Sequence, residues 1–197
     1  MITVTAVSLA NLAPKNQPLA DTALILAAKQ GSNSSRLVIC DWADNISQQT
    51  AITKVNLAKA YQNTDKSFIA FDKLTKNEAN QDLLLMATAQ LKDYFFGRRQ
   101  AFDLPIDISF GTAFQKRVWQ ALQSIAFGQT ISYTHLAHLI GNPKAYRAAA
   151  NANGKNPLSI IIPCHRVIAH DGSIGGYTGG VDKKRYLLNL EGNFCKT

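Results

Sequence analysis

The stretch SYTHLAHLIGNPKAYRAAANANG, residues 132–154, reads as two short helices joined across a tight corner. Ser132 is a good N-cap for a helix over Tyr133 to Ile140, and Gly141 is a good stop because glycine accepts a left-handed backbone at little cost. Asn142 can cap the second helix, whose first residue, Pro143, sits where no backbone N–H is needed. That helix is expected to run through Lys144 and Arg147 to Asn153, with Gly154 ending it. Two helices so joined have the proportions of a helix-turn-helix. Ala145, Ala148, Ala149, Ala150 and Ala152 make the second helix slim, with Arg147 the long cation among them. Such a helix suits close approach to a surface that Arg147 enters. It equally suits tight packing on another helix with Arg147 left in solvent, and composition alone leaves both open.

On the N-terminal side, Ala113 to Ser124 carries Phe114, Val118, Trp119 and Leu122 on one helical face and Lys116 and Arg117 on the other, and Gly128 ends the segment. On the C-terminal side, Ile160, Ile161 and Ile162 run into Pro163, Cys164, His165, Arg166 and Val167. This predicts a buried apolar strand with a cysteine at its exit. An imidazole and a guanidinium are the neighbours that lower a thiol pKa and give the thiolate needed by a nucleophile. In a regular strand Cys164 and His165 would point to opposite faces, so their cooperation needs a turn or a bridging water. These residues point to a reactive thiol, with a core cysteine that happens to end a strand as the alternative they leave open. Further on, Asp182 to Leu190 is helix-like and Glu191 follows it; an acid at a helix C-terminus is disfavoured by ~0.3–1 kcal/mol, which suggests a compensating partner. An exposed Glu beyond a frayed end accounts for it as well.

The first half has a different texture. Ile2 to Ala10, Thr22 to Ala28 and Arg36 to Ala43 are β-rich runs separated by Gly, Asn, Pro and Ser, expected as strands of a small sheet. Leu84, Ala87, Leu91 and Phe95 recur at helical spacing within Gln81 to Phe96, and Gly97 stops that helix. The polar stretch Arg98 to Pro105 is a candidate linker. It divides the chain into a scaffold over residues 1–105 and a second domain over 106–197.

Composition sets the bounds. The 197 residues suit one large or two small domains, and 46% hydrophobic content is enough for a core. No segment approaches the ~20 continuous apolar residues of a membrane span, and no signal-peptide pattern opens the chain, so a soluble intracellular protein is expected. Cys40, Cys164 and Cys195 lie far apart with no zinc-ligand spacing to His135, His138, His165 or His170, which predicts free thiols in a reducing compartment and no metal. Cys40 closes the apolar run Leu37 to Ile39 and is expected in the core; Cys195 is expected to be exposed and idle. Of the net charge of +8, residues 1–105 supply 11 Lys and Arg against 9 Asp and Glu, and residues 106–197 supply 10 against 4. A basic second half suits a phosphate-bearing partner, and a solvated cationic face accounts for the same count.

Six ordered segments decide between these readings: GQTISY at 128–133, GNPKAYR at 141–147, NGKNP at 153–157, IPCHRV at 162–167, GGYTGG at 175–180 and LEG at 190–192. Together they resemble the O6-alkylguanine-DNA alkyltransferases, the methylated-DNA–protein-cysteine methyltransferases. The first half is similar only loosely, through LKDYFFG at 91–97 and FDLP at 102–105. The resemblance implies an α/β, RNase H-like N-terminal sheet domain and a mostly helical C-terminal domain with a winged-helix-like helix-turn-helix. It implies direct reversal of O6-alkylguanine, and of O4-alkylthymine, in double-stranded DNA by single-turnover transfer of the alkyl group to Cys164, after base flipping from the minor groove.

The resemblance also carries roles. His165 acts through water as base and Glu191 orients it, while Tyr133 crowds the 3′ phosphate and donates to guanine N3. Arg147 is the finger that fills the vacated stack, and Lys144, Ala148, Asn151 and Lys155 join Tyr133 on the DNA. The Thr178 amide donates to guanine O6, the Cys164 and Val167 carbonyls accept from the exocyclic amine, and Asn153, Gly175, Tyr177 and Gly179 complete the pocket. Asn156 braces the turn beneath Cys164. No cofactor, no membrane and no obligatory protein partner are implied, and the expectation is a monomer in the cytoplasm, nucleoid-associated in a bacterium. Tyr146, Ala150 and Asn151 depart from the family's usual pattern in the second helix, which puts groove fit and lesion preference in doubt. Three rivals fit parts of the pattern. A non-catalytic lesion binder would lack Cys164, a helix-turn-helix regulator has no need of Pro-Cys-His-Arg, and adjacent Cys and His disfavour a turnover thiol hydrolase.

Overall fold

The computed structural model describes the chain except residues 16, 17, 20, 45, 46, 58–60, 62 and 195–197. Cys195, expected at the surface, lies outside the described residues. The chain forms two compact units, Met1–Asp107 and Ile108–Thr197.

In the first unit, β1 (Ile2–Ser8), β2 (Ala23–Gln30) and β3 (Ser35–Ala43) form an antiparallel meander, and β4 (Lys66–Phe68) pairs in parallel with β1, giving the order β3-β2-β1-β4. Ser8 accepts a hydrogen bond from the Ala10 amide and starts helix α1 (Leu9–Leu12), so the first strand ends before Ala10. Helices α2 (Gln48–Leu57) and α3 (Ala79–Phe95) pack on the sheet. Strands β1 and β2 are buried on both faces, so the polar residues of β1 need partners. Thr3 finds one in α3: Asn80 Nδ2 donates to Thr3 Oγ1 at 3.1 Å, and Ser35 Oγ donates to Asn80 Oδ1 at 2.6 Å. Cys40 is fully buried in β3, as its apolar run predicts. The polar stretch after α3 is tied down, because the Gln90 side chain bonds both the amide and the carbonyl of Asp103. Ile106 then bridges Leu37 of β3.

In the second unit, α4 (Ala113–Leu122) opens with a capping box between Thr112 and Gln115. It buries Val118, Trp119 and Leu122, and Trp119 Nε1 donates to the Ala152 carbonyl at 2.9 Å, joining α4 to the next-but-one helix. The helix-turn-helix consists of α5 (Tyr133–Leu139), capped by Ser132 as expected, and α6 (Tyr146–Gly154). Gly141 takes φ +71° at the corner. Two details differ from expectation. Pro143–Ala145 forms a 3-10 turn before α6 and Asn142 makes no side-chain cap, and Gly154 lies inside the last turn of α6, with Lys155 as C-cap.

The larger correction concerns Ile160 to Ile162. They are buried, but they turn instead of forming a strand: Ile160 has φ +72°, and Cys164–Arg166 is a 3-10 turn. Asn156 drives this conformation, with Oδ1 accepting from the Leu158 amide at 3.0 Å and Nδ2 donating to the Ile162 carbonyl at 2.8 Å. β-branched residues favour strands, yet side-chain bonds that close a turn outweigh a local preference of this size. Strand β6 (Val167–Ile168) follows and pairs in parallel with β5 (Ile131–Ser132). The last helix, α7 (Val181–Phe194), continues past Leu190 and so contains Glu191.

Candidate active site

Cys164 stands at the first position of the 3-10 turn, 4% exposed, in the wall of a cavity of about 510 Å³. Tyr133, Ala150, Asn153, Gly154, Asn156, Ser159, Gly176, Tyr177 and Thr178 line the rest. The short β5–β6 pairing explains how Tyr133 and Cys164 meet: Ile131 registers with Val167 and Ser132 with Ile168, which sets the start of α5 beside the end of the cysteine turn. Asn156 Nδ2 lies 3.0 Å from Cys164 Sγ and points a donor at the sulfur. Asn156 therefore contacts the Cys164 thiol itself as well as bracing the turn, which the sequence reading missed.

Behind the thiol lies a buried polar cluster. His165 is fully buried and Glu191 is 1% exposed, which excludes the frayed, solvated acid. His165 Nε2 lies 2.9 Å from Glu191 Oε1, and because a carboxylate only accepts, Nε2 carries the proton. Nδ1 is then the acceptor, and it is buried without a protein hydrogen-bond partner. Burial holds His165 below its ordinary pKa, and the Arg166 and Lys184 charges act in the same direction against the pull of Glu191. The ring is therefore neutral and able to take a proton at Nδ1.

Arg166 was expected to act on the thiol and instead grips Glu191. Its Nε donates to Oε2 at 2.9 Å, its Nη2 to Oε1 at 2.9 Å and its Nη1 to the Ile125 carbonyl at 2.6 Å. The Gly128 amide donates to Glu191 Oε2 at 3.0 Å. Burial alone would raise the Glu191 pKa; the bonds from His165 and Arg166 and their charges outweigh it and pull it down to about 2.

The remaining expected residues fall in three places. Tyr133 is half-buried in the cavity wall, and burial, then the charge of Cys164, raise its pKa, so its hydroxyl stays a donor. Gly175 has φ +67°, and a Cβ there would lie 3.5 Å from the Tyr133 ring. Thr178 Oγ1 donates to the Gly154 carbonyl at 2.6 Å, fastening the loop that contains Gly179 to the end of α6. The Cys164 and Val167 carbonyls already accept bonds, from Asn153 Nδ2 at 3.3 Å and from Lys184 Nζ at 2.6 Å. Lys144, Arg147, Ala148, Asn151 and Lys155 are exposed in and around α6, and the Arg147 guanidinium stands 5.5 Å from the Tyr146 ring centre. Fully buried Lys184 was missed. The signal available for it was the stripe Lys184, Leu187, Glu191, which sets three residues on one face of a helix.

Residues 113–193 match the family model described as 6-O-methylguanine DNA methyltransferase, DNA binding domain. The chain is 49% identical over 114 residues to a methylated-DNA–protein-cysteine methyltransferase of Methanosarcina barkeri, a span covering 58% of this chain and 72% of that protein. It is 51% identical over 105 residues to the protein of that name from Mycobacterium tuberculosis, covering 53% and 63% of the two chains. The crystal structure of Mycobacterium tuberculosis OGT in complex with DNA matches with a TM-score of 0.67 at 34% identity, over 98% of this chain and 94% of that one. A Pyrococcus kodakaraensis O6-methylguanine-DNA methyltransferase, 21% identical with a TM-score of 0.58, shares the fold, a mixed sheet with helices. The protein described here belongs to the methylated-DNA–protein-cysteine methyltransferase family.

Proposed function

We propose that this protein repairs O6-alkylguanine in double-stranded DNA by moving the alkyl group to Cys164, once per molecule. The observation that carries the reading is a cavity-lining thiol followed directly in the chain by a neutral buried His165, whose Nδ1 has no protein hydrogen-bond partner and whose Nε2 is bonded to a Glu191 held anionic. His165 Nδ1 takes the thiol proton through a water, and Glu191 fixes the ring that receives it. The Cys164 sulfur then attacks the alkyl carbon in line. The carbon–sulfur bond forms as the carbon–O6 bond breaks, the electron pair passes into the guanine, and the Tyr133 hydroxyl supplies a proton at N3. The thioether product has no ready leaving group, so the protein is consumed.

Reaching the base requires extrusion from the duplex, at a cost of a few kcal/mol that contacts to the vacated stack offset. We assign that contact to Arg147, with Lys144, Ala148, Asn151 and Lys155 on the phosphates and sugars around it and Tyr133 at the flipped nucleotide. Their exposure on and beside the slim helix α6 supports a minor-groove approach. The Thr178 amide is assigned to guanine O6, and Asn153, Val167, Gly175, Tyr177 and Gly179 to the base and alkyl pocket. O4-alkylthymine presents the same alkyl–oxygen bond and is included among the substrates.

The mixed order β3-β2-β1-β4 supports an RNase H-like reading of residues 1–105 as scaffold, and α5, α6 and the β5–β6 pair support a winged-helix-like reading of residues 106–197. Every atom of the transfer comes from protein, DNA and water, so the reaction asks for no cofactor, metal or second subunit. Intact-mass and peptide-mapping spectrometry with O6-methylguanine DNA tests the reading. One methyl group per chain on Cys164, with guanine restored, is expected; continued turnover, or methylation at Cys40 or Cys195, overturns it.

A further inference from the structure

Lys184, in the first turn of α7, is fully buried beside the cavity. Its Nζ donates to the Val167 carbonyl at 2.6 Å and to the Gly176 carbonyl at 3.3 Å, and stands 5.9 Å from the centre of the Tyr133 ring. Val167 follows the cysteine turn, while Gly176 and Tyr133 are cavity walls. One ammonium therefore joins three separate parts of the site.

Its hydrogen-bond acceptors are both neutral carbonyls, and a buried cation is disfavoured unless an anion stands in its field. The charged and titratable groups around it can be named. Glu191 lies on the same helical face but is engaged by Arg166, His165 and the Gly128 amide. Arg166 faces Glu191, and His165 is neutral. Burial outweighs the opposing charge of Cys164 and holds the Lys184 pKa down at about 8. Among the described residues, Cys164 is the anion-forming group that shares a cavity with the Gly176 and Tyr133 walls that the Lys184 ammonium contacts, and it lies three residues before Val167, to whose carbonyl Lys184 donates.

We propose that Lys184 is a positioning residue for alkyl transfer: its ammonium is the counter-charge that holds Cys164 as a thiolate, and the same group ties the Gly176 wall of the cavity to the cysteine turn through Val167. No bond to Lys184 forms or breaks; it acts through its field and its hydrogen bonds. The inference rests on Cys164 being the alkyl acceptor.

The test compares the full-length protein with Lys184→Met and Lys184→Arg between about pH 5 and about pH 9, using two reagents: free O6-benzylguanine, which needs the pocket, and iodoacetamide, which needs only a thiolate. Reaction is mapped to Cys164 by peptide mass. With Lys184→Met, the pH of half-maximal reaction is expected to rise by about one unit with both reagents, and the rate near pH 7 to fall about tenfold. Lys184→Arg should recover most of the shift. An unchanged midpoint with both reagents overturns the proposal, even if the benzylguanine rate drops. Should Lys184→Met not fold, NMR titration of Lys184 in the wild-type protein before and after S-methylation by iodomethane serves in its place. Its pKa is expected to fall when the thiolate is lost, and no change overturns the proposal. Iodoacetamide reports the Lys184–Cys164 coupling whether or not methylguanine DNA is a substrate, so failure here is distinguishable from failure of the repair reading.

Discussion

Arg166 and Glu191 form a closed pair, with Nε to Oε2 and Nη2 to Oε1 both at 2.9 Å, in a site where Glu191 is 1% exposed. A bidentate guanidinium–carboxylate bond of this kind fixes orientation as well as charge. It holds the oxygen that receives His165 Nε2, so the ring next to Cys164 in the chain is positioned by a residue near the far end of the chain.

Glu191→Gln leaves the Arg166 charge buried without its partner. The expected loss of stability is about 3 kcal/mol, measured by urea denaturation near pH 7. The same pair makes the protein acid-sensitive. With a folded pKa of about 2, below that of the unfolded carboxyl, Glu191 contributes stability that is fully present above about pH 5 and lost as pH falls towards 2. His165, depressed by burial, adds a loss of the same sign beginning below about pH 6.5. In the Gln variant the acid transition between about pH 5 and about pH 2 should flatten; a wild-type profile there would contradict the role given to the pair.

Asn156→Ala removes the amide that faces Cys164 Sγ, strands the Leu158 amide and leaves the Ile162 carbonyl only the bond from the Cys164 amide. A loss of about 1–3 kcal/mol is expected from the unsatisfied Leu158 amide. The rate with free benzylguanine should fall about tenfold or more, because one donor to the thiolate disappears and the turn that aims it relaxes. Thermal melts and single-turnover rates measure the two effects separately.

Arg147→Ala should lower repair of methylguanine in duplex DNA by about a hundredfold, given that wedge contacts offset an extrusion cost of a few kcal/mol. Reaction with free benzylguanine should stay within about twofold, since nothing need be extruded. Equal losses on the two substrates would count against the finger. Tyr146→Ala is expected to weaken duplex repair by only about threefold, the scale of one exposed cation–π contact between its ring and Arg147.

Gly175→Ala places a methyl group 3.5 Å from the Tyr133 ring on a backbone at φ +67°. The contact is tolerable but the conformation is not free for an L-residue, so a cost of about 1 kcal/mol is expected. The strain falls on the wall that faces Tyr133, so alkyl transfer should slow, read as a lower rate at saturating benzylguanine beside that loss of about 1 kcal/mol in urea denaturation.

Much of the second unit was legible in local chemistry. Ser132 as cap, Gly141 as corner and the apolar face of Val118, Trp119 and Leu122 are decided within a few residues of themselves. The three antiparallel strands and α3 were legible for the same reason. Strand β4 was missed because three residues carry too little period to read, and its pairing with β1 is long-range. The Ile160 to Ile162 run was misread because Asn156 closes a turn against their β-preference.

The sequence by itself determined the helix-turn-helix, the placing of Cys164 next to His165 and the family, since caps, periods and ordered motifs are properties of the chain. Only the tertiary structure decided that Arg166 serves Glu191 instead of the thiol, that Asn156 touches the sulfur and that Lys184 enters the site bonded to two carbonyls and, among the described residues, to no carboxylate. Those relations depend on which faces of α7, the cysteine turn and the 125–128 loop meet, and the charge that reaches a buried group is set by that meeting, not by its neighbours along the chain.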